Sequence, residues 1–118
     1  MPALQRGFRI ASSQPTTQGP DIKKAFVIVH HFPRGTKKQY DASIAAVHPS
    51  KTKLPKGQIY HAAGKSAGGW TIIAVHDSKA SWVRFRDKVL MPAMKKGIKG
   101  GFATPPQETA IDATTVLK

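Results

Sequence analysis

Residues 24–32 read Lys-Ala-Phe-Val-Ile-Val-His-His-Phe (KAFVIVHHF), and this stretch decides the architecture. It is β-branched and apolar at both parities, the pattern of a strand covered on both faces. Phe26, Ile28, His30 and Phe32 fall on one face, and Val27, Val29 and His31 on the other. Pro33-Arg34-Gly35 breaks the strand. Thr36-Lys37-Lys38-Gln39 then has a hydroxyl at the N-cap position and Gln three residues on, a capping box. Tyr40, Ile44 and Val47 follow at helical spacing, and His48-Pro49 ends the helix because a residue before proline is pushed out of the α region. After a basic loop at 50–56, Gln58–Ala63 and Trp70–His76 read as two strands around the flexible Gly64–Gly69 segment, a hairpin. Asp77-Ser78 caps a second helix that carries Trp82, Phe85 and Val89 on one face, with Pro92 interrupting it. Gly97, Gly100 and Gly101 close that region. Pro105-Pro106 introduces a last strand over Glu108–Val116.

The resulting order βαββαβ, with helix-length crossovers, is the ferredoxin-like α+β pattern: a four-stranded antiparallel sheet with two helices on one face. Strand one is apolar on its other face too, so something must cover that face. A second subunit packed sheet to sheet is the natural candidate, and residues 1–22 folding over it are the alternative. One domain over residues 23–118 is expected, preceded by a basic Gln/Ser/Thr/Pro-rich arm over residues 1–22.

The 118 residues include no cysteine, which removes disulfides, thiolate nucleophiles and cysteine-based metal sites. That fits a reducing compartment, and a cytoplasmic location is expected. No apolar run approaches the length of a membrane span. Nineteen Lys and Arg face six Asp and Glu, a net charge of +13. Such a field attracts polyanions. The cations are scattered over every connection, without a basic run interleaved with aromatics and without a recognisable nucleic-acid-binding motif, so only non-specific contact with nucleic acid is expected.

The stretch GQIYHAAGKSAGGWTIIAVHDSKASWVRF, Gly57–Phe85, resembles small bacterial proteins of the antibiotic-biosynthesis-monooxygenase-like, dimeric α+β barrel superfamily. Their third strand ends in V-W-x-S before a helix with an early aromatic. Here the matching residues are Val75-His76-Asp77-Ser78, then Trp82 and Phe85. The resemblance extends over residues 23–116 and specifies a fold more than a chemistry. It implies a homodimer whose sheets enclose a mostly apolar pocket in each subunit. It also implies activities that range from cofactor-independent oxygenation of aromatic phenols to haem degradation. His76 stands where the haem-degrading branch has its aromatic, and Ile28 where that branch has an Asn, so haem degradation is not expected.

Histidine is the chemical group that the strands offer. A cofactor-free oxygenation of a phenol needs a base to form the phenolate, and an imidazole titrating near neutrality can serve. His30 and His76 are therefore the candidate catalytic residues. Ile28, Phe32, Trp70 and Ile72 are candidate walls for an aromatic ligand, with His61 a further pocket member. The competing reading makes each imidazole a hydrogen-bonded core or rim group. No carboxylate joins the histidines at a metal-binding spacing, so neither a metal nor a cofactor is expected. Gly64-Lys65-Ser66 lacks the first glycine of a phosphate loop, no Gly-x-Ser-x-Gly elbow occurs, and the six acids form no catalytic pair. The rival function is a non-catalytic ligand-binding or structural dimer, or a polyanion-binding protein using the +13 surface.

Overall fold

In the computed structural model, residues 25–50 and 52–117 are described, and the arm expected over residues 1–22 lies outside them. Strand β1 spans Ala25–Pro33, with Phe26, Ile28 and Phe32 buried. Arg34 takes the left-handed region at φ 59° to turn the chain out of the strand. Helix α1, Lys37–Val47, begins on the expected capping box. The Thr36 hydroxyl accepts from the Gln39 N–H, and the Gln39 side chain accepts from the Thr36 N–H. It ends at His48, which is already extended before Pro49.

Strands β2 (Gln58–Ser66) and β3 (Gly69–His76) are longer than the sequence suggests. The flexible segment continues the ladder to Ser66 opposite Gly69, leaving only Ala67-Gly68 as the turn, with Gly68 at φ 77°. At Gly69 the backbones of β3 and β1 meet closely. A Cβ there would lie 2.0 Å from the Phe32 carbonyl oxygen. A bulge between Gln58 and Tyr60 shifts the register at the other end of β2. Gln58 and His61 therefore both point to the face shared by His76, Ala74 and Ile72.

The second helix departs from expectation in its second half. Helix α2 covers Lys79–Phe85, a π-helical turn follows over Arg86–Leu90, and helix α3 covers Met91–Lys96. Pro92 has no N–H to offer the Lys88 carbonyl, and the helix widens by one residue just before it. That extra residue rotates the face. Leu90 packs against the core, and Val89, expected beside Trp82 and Phe85, is exposed. Strand β4, Gln107–Ala113, closes the sheet.

The sheet order is β2-β3-β1-β4 with every pairing antiparallel, the ferredoxin-like arrangement. The core lies between the sheet and the helices, where Phe26 and Ile28 meet Val47, Trp82 and Phe85. The opposite face carries Val27 between Val75 and Ile111, with Tyr60, Ile73 and Ile111 exposed. Among the described residues no helix is long and apolar enough to cross a membrane.

Candidate functional site

Between the sheet and the helices is a cavity of about 350 Å³. Its floor is Ile28, His30 and Phe32 of β1, Ile72 and Ala74 of β3, and His61 of β2. Helix α1 contributes Ser43, Ile44 and Val47, followed by His48. Trp82 and Phe85 of α2 also line it, as do Leu90, Met94 and Phe102. Phe102 stacks on Phe32 with ring centroids 3.7 Å apart. Gly35 lies beneath that pair, where a Cβ would come within 2.9 Å of the Phe102 ring.

The strand parity read from KAFVIVHHF thus places Ile28, His30 and Phe32 in one cavity with His61 and Ile72. Trp70 and His76 share that face but are not in the wall. Trp70 packs toward Tyr40 at 5.4 Å. His76 is 0% exposed and lies beneath Trp82 and Phe85, at centroid distances of 5.5 and 6.1 Å. Its Nδ1 has no hydrogen-bond partner. Burial pushes its pKa down, against a smaller upward pull from Asp77.

Besides Ser43 and Thr104, two groups of hydrogen-bonded side chains reach the cavity. On the β4 side, His30 Nε2 lies 3.0 Å from Glu108 Oε1. This pairing follows from the register, which sets His30 opposite Glu108. With Glu108 ionised, Nε2–H donates and Nδ1 keeps a free lone pair. On the β2 side, the Tyr40 hydroxyl donates to His61 Nε2 at 2.7 Å, and His61 Nδ1–H donates to Gln58 Oε1 at 2.9 Å. The Gln58 amide N–H then faces His76 Nε2 at 3.5 Å. Burial raises the Tyr40 pKa, with Asp41 adding to the effect, so the phenol remains a donor. His48 stands edge-on to His61 at 4.9 Å. Burial, helped by the neighbouring His61, lowers its pKa to about 4, and burial lowers that of His61 as well. At neutral pH this side of the cavity is polar but uncharged.

His48, Gln58 and Phe102 escape a reading of the sequence. His48 reads there as a helix terminator, and Gln58 reaches the site only through the bulge. Phe102 arrives from an irregular segment with no period. Among the described residues, no three His, Asp or Glu side chains are grouped so as to hold a metal ion.

No protein-family model and no curated protein matches this sequence. Among solved structures, the chain is similar to a monooxygenase from the gene ActVA-Orf6 of Streptomyces coelicolor, determined in complex with the ligand nanaomycin D. The match covers 82% of this chain and 93% of that one, with a TM-score of 0.51 and 13% sequence identity. At that identity the likeness is one of fold, and it is the fold that the Gly57–Phe85 resemblance implies.

Proposed function

We propose that this protein binds an aromatic small molecule in the cavity between sheet and helices and oxidises it as a cofactor-independent monooxygenase. The observation that carries the reading is the His30–Glu108 pair at the edge of a mostly apolar cavity walled in part by aromatic rings. Glu108 orients the imidazole, and Nδ1 of His30 takes the proton from a phenolic hydroxyl. The phenolate, richer in electrons than the phenol, reduces molecular oxygen, and a hydroperoxide forms at a ring carbon. Loss of water from that hydroperoxide leaves a quinone. One oxygen atom enters the ring, the other leaves as water, and the phenol supplies the electrons. The protein's part is to hold the phenol, remove its proton and exclude bulk water from the anion.

The reading includes a homodimer. Val27, Val29 and Val75 with exposed Tyr60, Ile73 and Ile111 make an apolar face of the kind that a second sheet covers. The fold shared with a crystallised monooxygenase supports the oxygenase reading without specifying the substrate.

The test is oxygen uptake and quinone formation with a panel of hydroxynaphthalenes. His30→Ala is expected to lower the rate by roughly 10²- to 10⁴-fold at unchanged thermal stability. Glu108→Gln is expected to lower the rate less and to move the pH profile. Unaltered turnover in His30→Ala would sink the assignment of the base. Ligand binding without oxygen uptake on any member of the panel would favour the non-catalytic ligand-binding dimer.

A further inference from the structure

Residues 84–99, which run from the end of α2 through the π-helical turn and α3, hold six Lys and Arg and one acid, Asp87. Asp87 pairs with Arg86 at 2.9 Å. Lys88, Lys95, Lys96 and Lys99 are exposed, and among the described residues no carboxylate pairs with them. The same stretch exposes large apolar side chains: Val89 is 37% exposed, Met91 43% and Met94 45%. The exposed Tyr60, Ile73 and Ile111 belong to the open face of the sheet, so a second sheet packed there would leave this patch on the helical side uncovered. The patch follows from the widened turn, which turns Leu90 inward and Val89 outward. Met91 and Met94 then lie one turn apart on α3, with Lys95 one turn beyond Met91. Met94 also lines the cavity, as do Leu90 and Ile98, so the patch stands at the cavity's edge.

We propose that the segment Arg86–Lys96 docks on the surface of an anionic lipid bilayer. Val89, Met91 and Met94 enter the boundary between headgroups and acyl chains, and Lys88, Lys95, Lys96 and Lys99 meet the lipid phosphates. Stable attachment to a bilayer needs two signals, and this stretch supplies an apolar one and a basic one together. Each lysine held near an anionic surface strengthens binding about fivefold, an attraction that fades within a Debye length. The contact is with the surface alone, since no helix among the described residues is long and apolar enough to cross a membrane. A bilayer suits the patch better than an acidic protein does. Its apolar side chains protrude, and two of them are flexible methionines, so a fluid interface can receive them without a matching shape. A partner helix would need a groove with large apolar walls. The neighbouring depression between α1 and α3 is open and lined mostly by small side chains, Ala42, Ala45, Ala46 and Ala93 among them. Docking would set the edge of the cavity at Met94 against the acyl region, where apolar molecules concentrate. That consequence rests on the ligand-binding reading above, whereas the docking does not.

The experiment is co-sedimentation of the full chain with vesicles of phosphatidylcholine, alone or with about one-third phosphatidylglycerol, in about 0.1 M salt. The anionic vesicles are expected to bind at least about tenfold more tightly than the neutral ones. Lys95→Ala with Lys96→Ala is expected to weaken that binding roughly 10- to 30-fold. Val89→Ser with Met91→Ser is expected to weaken it at least about fivefold while leaving binding to soluble polyglutamate unchanged. Lys38→Ala with Lys65→Ala, two exposed cations on other elements, is expected to change it by no more than about twofold. All six positions are exposed, and circular dichroism checks that each variant is folded. A serine variant that binds anionic vesicles as the wild type does would overturn the proposal and assign the binding to charge alone. Equal weakening by the two lysine pairs would overturn it too, because the +13 surface would then act as a whole. Binding to polyglutamate with none to vesicles would overturn it in favour of an acidic protein partner, and binding to neither would leave the segment without a dock. Oxygen uptake on soluble hydroxynaphthalenes without vesicles tests the catalytic reading separately, so failure of one reading is distinguishable from failure of the other.

Discussion

Two histidines that look alike in the sequence have opposite surroundings. His30 has a carboxylate partner and a cavity in front of it. His76 has neither, and its unpartnered Nδ1 carries the desolvation cost of a buried donor or acceptor, about 1–3 kcal/mol. His76→Leu, which removes the orphan atom and keeps the volume, is expected to leave stability unchanged or raise it. His76→Ala, which leaves a void under Trp82, is expected to cost about 2–4 kcal/mol, as read by urea denaturation. His48 sets a pH dependence. Its folded pKa of about 4 lies below the ordinary 6.5, so the unfolded chain takes up the proton first. Stability from this residue is complete above about pH 6.5 and is lost as pH falls toward 4, with His61 acting in the same direction. The melting temperature is expected to fall by several degrees between pH 7 and pH 5, and His48→Gln to flatten that slope. An unchanged slope in the variant would assign the effect elsewhere.

At the scale of elements, the regular features were legible because their signals are local. The capping box of α1, the His48-Pro49 stop and the parity of β1 depend on neighbours within a few residues. The hairpin and the second helix were only partly legible. The Gly64–Gly69 composition signals flexibility, but the strands run nearly to its tip, and Gly69 sits against the carbonyl of Phe32, a residue distant in sequence. Two glycines of this hairpin should therefore behave differently. Gly69→Ala is expected to destabilise the protein by about 3 kcal/mol or more, since its Cβ has no room. Gly64, with nothing within 4 Å of its Cβ, should accept alanine neutrally or with a gain of up to about 1 kcal/mol. Chemical denaturation of the pair distinguishes steric demand from mere strand propensity. In the second helix, Pro92 signals a break, but whether the chain kinks, stops or widens depends on what the following turn can pack against. The wide turn moves Leu90 to the core and Val89 out of it.

For the whole molecule, the two faces of the sheet divide the work. The helix-covered face holds the cavity, whereas the resemblance implied a pocket enclosed by the sheets of two subunits. The open face remains available for a second copy. Ile73→Lys alters a side chain that is 39% exposed in one chain and central in the proposed interface. It is expected to convert a dimer into a folded monomer by sedimentation velocity, with little change in secondary structure by circular dichroism. A wild-type chain that sediments as a monomer at all concentrations would remove the dimer from the reading. The charge belongs to this scale as well. Lys37 and Arg86 are paired with Asp41 and Asp87 at the surface, and such exposed pairs contribute little to stability. The excess positive charge acts instead on encounter with anions, and it fades with salt.

The amino-acid chain alone specifies the order of elements, the two faces of β1 and the absence of cysteine chemistry. Hydrophobic period, caps and composition are properties of short stretches of chain. It also placed Ile28, His30 and Phe32 on one side, because parity along a strand needs no knowledge of its neighbours. The packed fold is what sets His30 against Glu108 while sealing His76 beneath Trp82. It alone brought His48, Gln58 and Phe102 into the cavity wall. Those outcomes depend on a cross-strand register, a bulge in β2 and the widened turn before Pro92. Each is settled by packing between segments far apart in the chain, where local pattern carries no information.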